Sequence, residues 1–217
     1  MKVGTDAVLL GAWAEVDPAT SILDIGSGSG IISLMMAQRS SVDARIDAVE
    51  LLTSDAEQSV ENILKSPWPQ KISVVNTSIQ NFSLAKKYDL IICNPPYFTK
   101  SLLPPGEARS KARHDTTLTA DQLLVATIRL LSPSGKFCVV LPSTESELFI
   151  HKAKSKKLFL QHLTRLYTRS AKSQERSLMK FGFKPEPLLE DSLILHQSEN
   201  QWTDEYKNLT KDFYLDR

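Results

Sequence analysis

Ser21-Ile22-Leu23-Asp24-Ile25-Gly26-Ser27-Gly28-Ser29-Gly30-Ile31 is the stretch on which the fold turns. Ser21 to Asp24 reads as a short apolar strand, the alternate glycines as a tight turn, and Ile31 to Arg39 as the helix that follows. Glycine lets the chain turn sharply and brings backbone N–H groups close to a ligand at a helix N-terminus. Working outward, Ala44 to Val49 is the next strand and ends in Glu50; Ser54 with Glu57 predicts a capping box for a helix running to Lys65. Lys71 to Val75 and Tyr88 to Ile92 read as the third and fourth strands. Residues 5–16 predict a helix capped by Thr5 or Asp6. Thr119 with Gln122 caps a helix from Ala120 to Leu131, Ser134-Gly135 turns into the strand Lys136 to Leu141, and Thr144 with Glu147 caps a further helix. Alternating strands and helices with continuously apolar middle strands specify an α/β fold, a doubly wound, mostly parallel sheet covered on both faces. Ligands of such sheets lie off the carboxyl ends of the strands.

The C-terminal third predicts longer strands over Leu158 to Tyr167 and Ser177 to Phe183, with Leu188 to His196 as a hairpin partner, hence an antiparallel strand pair. A short amphipathic helix is expected from Thr203 to Tyr214. We expect a single domain over residues 1–217, with a core over 5–150 and a basic elaboration over 151–217.

The 217 residues are 41% apolar and 24% charged, proportions that suit one globular domain with a full core. No apolar run approaches the length of a membrane span, and the N-terminus lacks a signal-peptide pattern, so a cytoplasmic protein is expected. Cys93 and Cys138 both lie in strand-like apolar runs and read as buried thiols. Four scattered histidines without ligand spacing give no reason to expect a metal. The net charge of +1 conceals an asymmetry: residues 151–184 hold ten Lys/Arg and one acid, whereas 185–217 hold eight acids and three basic residues. A basic segment on an otherwise neutral chain points to a polyanionic partner on one face.

The chemistry gathers at Cys93-Asn94-Pro95-Pro96-Tyr97-Phe98, directly after the fourth strand. Neither proline donates to a sheet, so pairing stops there, and proline holds Asn94 extended. The Asn94 carboxamide and the Pro95 carbonyl then supply two acceptors for the two protons of an exocyclic NH2, with Tyr97 as a flat wall for its ring. The glycines fall at alternate positions, not in the G-x-G-x-x-G of a dinucleotide site. The form is similar to the turn that holds S-adenosyl-L-methionine, a ligand with a carboxylate and an amine and no phosphate. Asp24 opens that turn, and Glu50 stands where an acid takes ribose hydroxyls. Read blandly, Asp24 only ties down the turn, Glu50 is a solvated strand end, and N-P-P-Y is a proline-rich loop. The three motifs end strands one, two and four, however, and so converge on one crevice.

With these residues assembled, the chain resembles the class I S-adenosylmethionine-dependent methyltransferases, whose fold is Rossmann-like, and among them the bacterial tRNA(Val) adenine-N6 methyltransferases. The matches are Lys2 to Trp13 (Lys-Val-Gly-Thr-Asp-Ala-Val-Leu-Leu-Gly-Ala-Trp), Asn94-Pro95-Pro96-Tyr97-Phe98, Ala112-Arg113-His114 and Leu209-Thr210-Lys211-Asp212-Phe213-Tyr214-Leu215, spread from end to end. The resemblance implies methylation of the adenine just 3′ of the anticodon, with Asn94, Pro95 and Tyr97 catalytic. It implies cofactor contacts from Gly4, Thr5, Asp24, Gly26, Ser27, Gly28, Gly30, Glu50, Ser78 and Asn94. Ser78 stands where such enzymes often carry an acid for the adenine of the cofactor. The tRNA would meet Phe98, the loop residues Arg109, Lys111, Arg113 and His114, and the basic residues Lys154, Lys156, Arg165, Arg169 and Arg176. A monomer is expected, with no metal and no membrane partner.

Three competing readings remain at this point. A protein-glutamine N5 methyltransferase acting on release factors also uses N-P-P-Y, since a carboxamide presents the same two protons, but it is expected to carry a helical N-terminal domain. DNA adenine methylation would call for a target-recognition domain. A non-catalytic RNA-binding subunit on the same fold has no physical need for an intact Asn94 and glycine turn.

Overall fold

The computed structural model describes residues 4–83, 85–96, 98, 118–198 and 201–214. Eight strands form one sheet: β1 (Ser21–Ile25), β2 (Arg45–Glu50), β3 (Ile72–Asn76), β4 (Tyr88–Cys93), β5 (Leu131–Pro142), β6 (Phe159–Tyr167), β7 (Arg176–Gly182) and β8 (Leu189–Ile194). Their order is β3-β2-β1-β4-β5-β7-β6-β8, and β7 alone runs against its neighbours. The chain thus winds outward from β1 in one direction, returns to β4, and winds outward in the other. That reversal, between β1 and β4, leaves the crevice where such sheets bind ligands.

Alternation along the strands explains why the middle ones read as unbroken apolar runs. Ile22, Leu90 and Ile92 join one core with α1 (Thr5–Trp13) and α2 (Ile31–Arg39). Leu23, Ile25, Ile91 and Cys93 join a second core with α4 (Ala120–Leu130) and α5 (Ser143–Ser155) on the opposite face. Both faces are buried, so both rows of side chains are mostly apolar, with Asp24 and Asp47 as exceptions. The remaining helices are α3 (Thr53–Leu64) and α6 (Asp204–Thr210), and a short antiparallel pair, β9 (His196–Ser198) with β10 (Gln201–Trp202), precedes α6.

Several local expectations give way to tertiary bonds. The Thr119–Gln122 capping box forms, with Gln122 N donating to Thr119 Oγ1 at 3.2 Å. The boxes at Ser54–Glu57 and Thr144–Glu147 do not. α3 begins at Thr53 because Leu52 N donates to Glu50 Oε1 and Thr53 Oγ1 to Asn76 Oδ1, both at 2.9 Å. α5 begins at Ser143, whose N–H and hydroxyl donate to the carbonyls of Glu175 and Gln174. For α1 the N-cap is Gly4, not Thr5 or Asp6, because Asp6 accepts from Arg176 Nε at 3.0 Å. The turn expected at Ser134-Gly135 lies inside β5, as an irregularity in its pairing with β4. Lastly, β8 is not a hairpin partner of β7; it crosses over to pair in parallel with β6 at the sheet edge. The loop that carries Arg109, Lys111, Arg113 and His114 lies outside the described residues.

Candidate active site

Register fixes the crevice. Ile25 pairs with Val49 on one side and Cys93 on the other, so Gly26, Glu50 and Asn94 leave three adjacent strands at one height. Adjacent strands lie about 4.8 Å apart, so the three motifs border a single small volume.

The glycine turn is held from below by β2: the N–H groups of Gly26 and Ser27 donate to Val49 O at 2.8 and 3.1 Å. Gly26, Gly28 and Gly30 have φ of +71°, +54° and +83°, a region that side chains with a Cβ rarely enter. At Gly30 there is a second reason, since a Cβ there would lie 2.5 Å from Ser59 Oγ on α3. Glu50 is buried and faces the turn, its Oε2 accepting from Gly28 N at 2.8 Å and its Oε1 from Leu52 N. It therefore both shapes the turn and keeps one lone pair on each oxygen for a further donor.

Asp24 is wholly buried beneath the turn. Its Oδ2 accepts from Ser33 Oγ of α2 at 2.6 Å, while Oδ1 is buried with no partner among the described residues. Burial pushes this carboxyl up to about 7, the hydrogen bonds from Ser33 oppose the rise, and the charge of Glu50 adds to it. The neighbouring Cys93 thiol is raised well above its ordinary value by burial and then by the charges of Asp24 and Glu50. A buried carboxylate oxygen without a donor is costly. A cationic amine drawn in under the turn would satisfy it, and Ser27 Oγ is likewise buried with no partner among the described residues. This donor set fits the amino-acid end of S-adenosylmethionine.

Asn94 is half-buried, Pro95 buried and Pro96 exposed. Phe98 points back into the protein: its ring stacks on Phe149 of α5 with centroids 6.1 Å apart and planes 4° from parallel, and its N–H donates to Glu145 Oε2 at 3.0 Å. It anchors the loop from behind. Ser78 is half-buried and accepts from Asn81 N at 3.3 Å, so part of its bonding capacity is used in its own turn. Gly4 and Thr5 stand at the start of α1, on the crevice edge of the sheet, since the Asp6–Arg176 pair ties that end of the helix to the start of β7. Tyr97, Arg109, Lys111, Arg113 and His114 lie outside the described residues.

The basic segment divides. Lys154 and Lys156 lie at the far end of α5, level with the start of β6, which is the edge of the sheet opposite the crevice. Helix rise puts that end about 20 Å from the helix start. Arg165, Arg169 and Arg176 lie at the crevice edge. Among the described residues, Arg165 pairs with Glu190 at 2.6 Å and Arg176 with Asp6 at 3.0 Å. Lys152 and Lys180 are similarly paired with Asp121 and Glu15.

Sequence reading missed three residues. Ser33, a lone hydroxyl in an apolar helix, was visible as an exception to the pattern. Glu145 was visible only as an acid in a first helical turn, where it complements the helix dipole; its bond to Phe98, 47 residues away, was not. Leu51, an exposed leucine directly after Glu50, supplies an apolar surface at the crevice rim. Among the described residues, no helix is long and apolar enough to cross a membrane, and no three His, Cys, Asp or Glu side chains gather as a metal site.

A family model described as methyltransferase small domain matches residues 3–150. A curated relative from Phocaeicola vulgatus, named tRNA1(Val) (adenine(37)-N6)-methyltransferase, is 44% identical over 99% of this chain and 91% of its own length. Relatives of the same name from Aeromonas hydrophila and Pectobacterium carotovorum are 41% and 42% identical over 99% of the chain, covering 91% and 88% of their own lengths. Among solved structures, a predicted O-methyltransferase from Agrobacterium tumefaciens superposes with a TM-score of 0.68 at 19% identity, covering 95% of this chain and 96% of that one. A glycopeptide N-methyltransferase complexed with S-adenosyl-L-methionine gives 0.59 at 12% identity over 83% and 94% of the two chains. These structural likenesses bear on the fold alone.

Proposed function

The chain belongs to the methyltransferase small domain family, alongside relatives named as tRNA1(Val) adenine-37 N6-methyltransferases, and from this premise we propose that it methylates the exocyclic N6 of adenine 37 in a valine tRNA. The observation that carries the reading is the single height at which Gly26, Glu50 and Asn94 leave their strands. It brings a cofactor turn and an amine-gripping loop to one crevice.

In this reading S-adenosylmethionine supplies an electrophilic methyl group on its sulfonium. Asp24 Oδ1 and Ser27 Oγ receive its amine, Glu50 takes the ribose hydroxyls, and Ser78 donates its hydroxyl proton to the adenine edge. Gly4 and Thr5 border the crevice from α1, and Leu51 covers the adenine face. On the acceptor side, the Asn94 carboxamide oxygen and the Pro95 carbonyl accept the two N6–H bonds. The N6 lone pair of free adenine is delocalised into the ring, and two acceptors in fixed positions favour a more pyramidal, electron-rich nitrogen. The gain comes from positioning and electrostatics in a site formed before the substrate arrives. Tyr97 stacks on the base, while Phe98, clamped on Phe149 and bonded to Glu145, holds the loop still. The surplus proton leaves to water. A loop adenine is already partly unstacked, so its extrusion costs little. Arg165, Arg169 and Arg176 border the path of the RNA at the crevice edge, with Arg109, Lys111, Arg113 and His114 at the flanking phosphates. Lys154 and Lys156 stand too far from the crevice to touch the target loop. The protein acts in the cytoplasm as a monomer.

The test is to incubate purified protein with labelled S-adenosylmethionine and separate pools of unmodified tRNA, release factor and DNA, then digest and identify the product. N6-methyladenosine from valine tRNA at the position 3′ of the anticodon is expected. Label on a glutamine of the protein pool, or on no pool, would overturn the reading.

A further inference from the structure

A cavity of about 220 Å³ opens on the same edge of the sheet as Asn94, beyond β5 and β7. We propose that it is a second base-binding subsite, which takes an unstacked nucleobase from the RNA strand that carries the target adenine. The inference rests on the proposed RNA substrate and adds a specificity element to it.

Leu9 of α1, Leu166 of β6 and Leu195 give the cavity apolar walls. One side ends on an aromatic column: buried Tyr206 stacks on Trp202 with centroids 4.3 Å apart, and Trp202 stacks on His196 at 3.9 Å. Thr5, Thr168 and Glu175 add hydroxyl and carboxylate groups to the lining. Flat aromatic wall, aliphatic walls and a few convergent polar groups suit a planar heterocycle with a polar edge. Arg176 also lines the cavity, but its charge is met by Asp6 at 3.0 Å, so the carboxylate of Glu175 makes a phosphate a poor occupant. A nucleobase instead presents amino groups to those acceptors and a π-face to the column, and stacking of this kind tolerates any base.

Placement supports the same occupant. Asn94 leaves β4, while Leu166 lies near the end of β6, three strands away in the order β4-β5-β7-β6. At about 4.8 Å per strand the two sites are about 14 Å apart, the reach of a neighbouring nucleotide and not of the target itself. Arg169 and exposed Lys172 lie in the connection between β6 and β7, beside the cavity, where an RNA backbone would run. The family model ends at residue 150, so every lining residue except those of α1 comes from chain beyond the shared methyl-transfer domain. That is where a device for choosing the substrate belongs.

The test uses an anticodon stem-loop RNA and copies with an abasic nucleotide at each position flanking the target adenine. For the wild-type protein, one abasic position should raise KM about tenfold or more, the loss expected of one stacked base. In His196→Ala that penalty should shrink to within about twofold, and His196→Tyr, which restores a flat wall, should bring it back. Melting temperatures of both variants establish that they fold; Trp202→Leu, which also removes a flat wall, repeats the comparison if His196→Ala does not fold. If the wild-type protein methylates the RNA and the abasic penalties are the same in His196→Ala, the subsite is refuted while the proposed function stands. If the wild-type protein methylates no adenine in the intact RNA, both fall together.

Discussion

Asp24 gives the sharpest quantitative consequence of the site. Its carboxyl is raised to about 7, chiefly by burial, and one oxygen has no partner among the described residues. The folded value exceeds the unfolded one, so folding takes up a proton between about pH 4 and pH 7, and the ligand-free protein loses stability as pH rises through that window. A cationic amine binds the ionised carboxylate, so affinity for S-adenosylmethionine must move the other way. A group titrating near 7 is about one-tenth ionised at pH 6 and about three-quarters at pH 7.5, where the ligand's α-amino group is still about two-thirds charged, so Kd should fall about fivefold, or ~1 kcal/mol, across that range. Above about pH 8 the ligand's own α-amino group loses its charge and the affinity should turn down again. Isothermal titration with S-adenosylmethionine or its demethylated product across this range provides the assay. Asp24→Asn should abolish the rising limb, and its melting temperature should gain on the wild type as pH increases. A wild-type Kd that stays flat between about pH 6 and 7.5, or an unchanged profile in Asp24→Asn, would refute the pairing of this carboxylate with the amine.

Gly30→Ala should destabilise by ~2–4 kcal/mol in urea unfolding, from the left-handed backbone together with the overlap on Ser59 Oγ. In a Ser59→Ala background the cost should drop to the backbone share, ~1–2 kcal/mol, and an equal cost in both backgrounds would contradict the close approach. Glu145→Ala should slow single-turnover methylation by about tenfold or more through a loosened Phe98 anchor while the Kd for S-adenosylmethionine holds within about threefold. Arg165→Ala should change stability by less than ~1 kcal/mol, because its bond to Glu190 is half-exposed; what it should change is the salt dependence of RNA binding, by about one phosphate's share of the slope.

What was legible in the sequence was what the backbone dictates locally. Strands buried on both faces are mostly apolar, so β1, β2 and β4 announce themselves despite Asp24, Asp47 and Asp89. Glycines at alternate positions have no better use than the turn whose φ values they adopt. Illegible were the features set by distant partners. Helix starts at Thr53 and Ser143 are set by Glu50, Asn76 and the carbonyls of Gln174 and Glu175, not by adjacent caps. The basic segment read as an open charged face, yet Arg176 finds Asp6 across 170 residues and Arg165 finds Glu190 on the neighbouring strand. Likewise the crossover that makes β8 parallel to β6 depends on where β7 inserts, and no residue of β8 records that. Phe98 reads from its motif as a contact for the tRNA, whereas its place is decided by Phe149, a core residue of α5.

In the proposed mechanism Asn94, fixed level with the glycine turn, grips the amino group that receives the methyl. The most direct test pairs two measurements on Asn94→Ala: the Kd for S-adenosylmethionine and the single-turnover rate on unmodified valine tRNA. The variant should keep a Kd within about threefold of the wild type while its rate falls by about a hundredfold or more, as for loss of a preorganised contact to the reacting group. A variant that methylates adenine at close to the wild-type rate would contradict the mechanism.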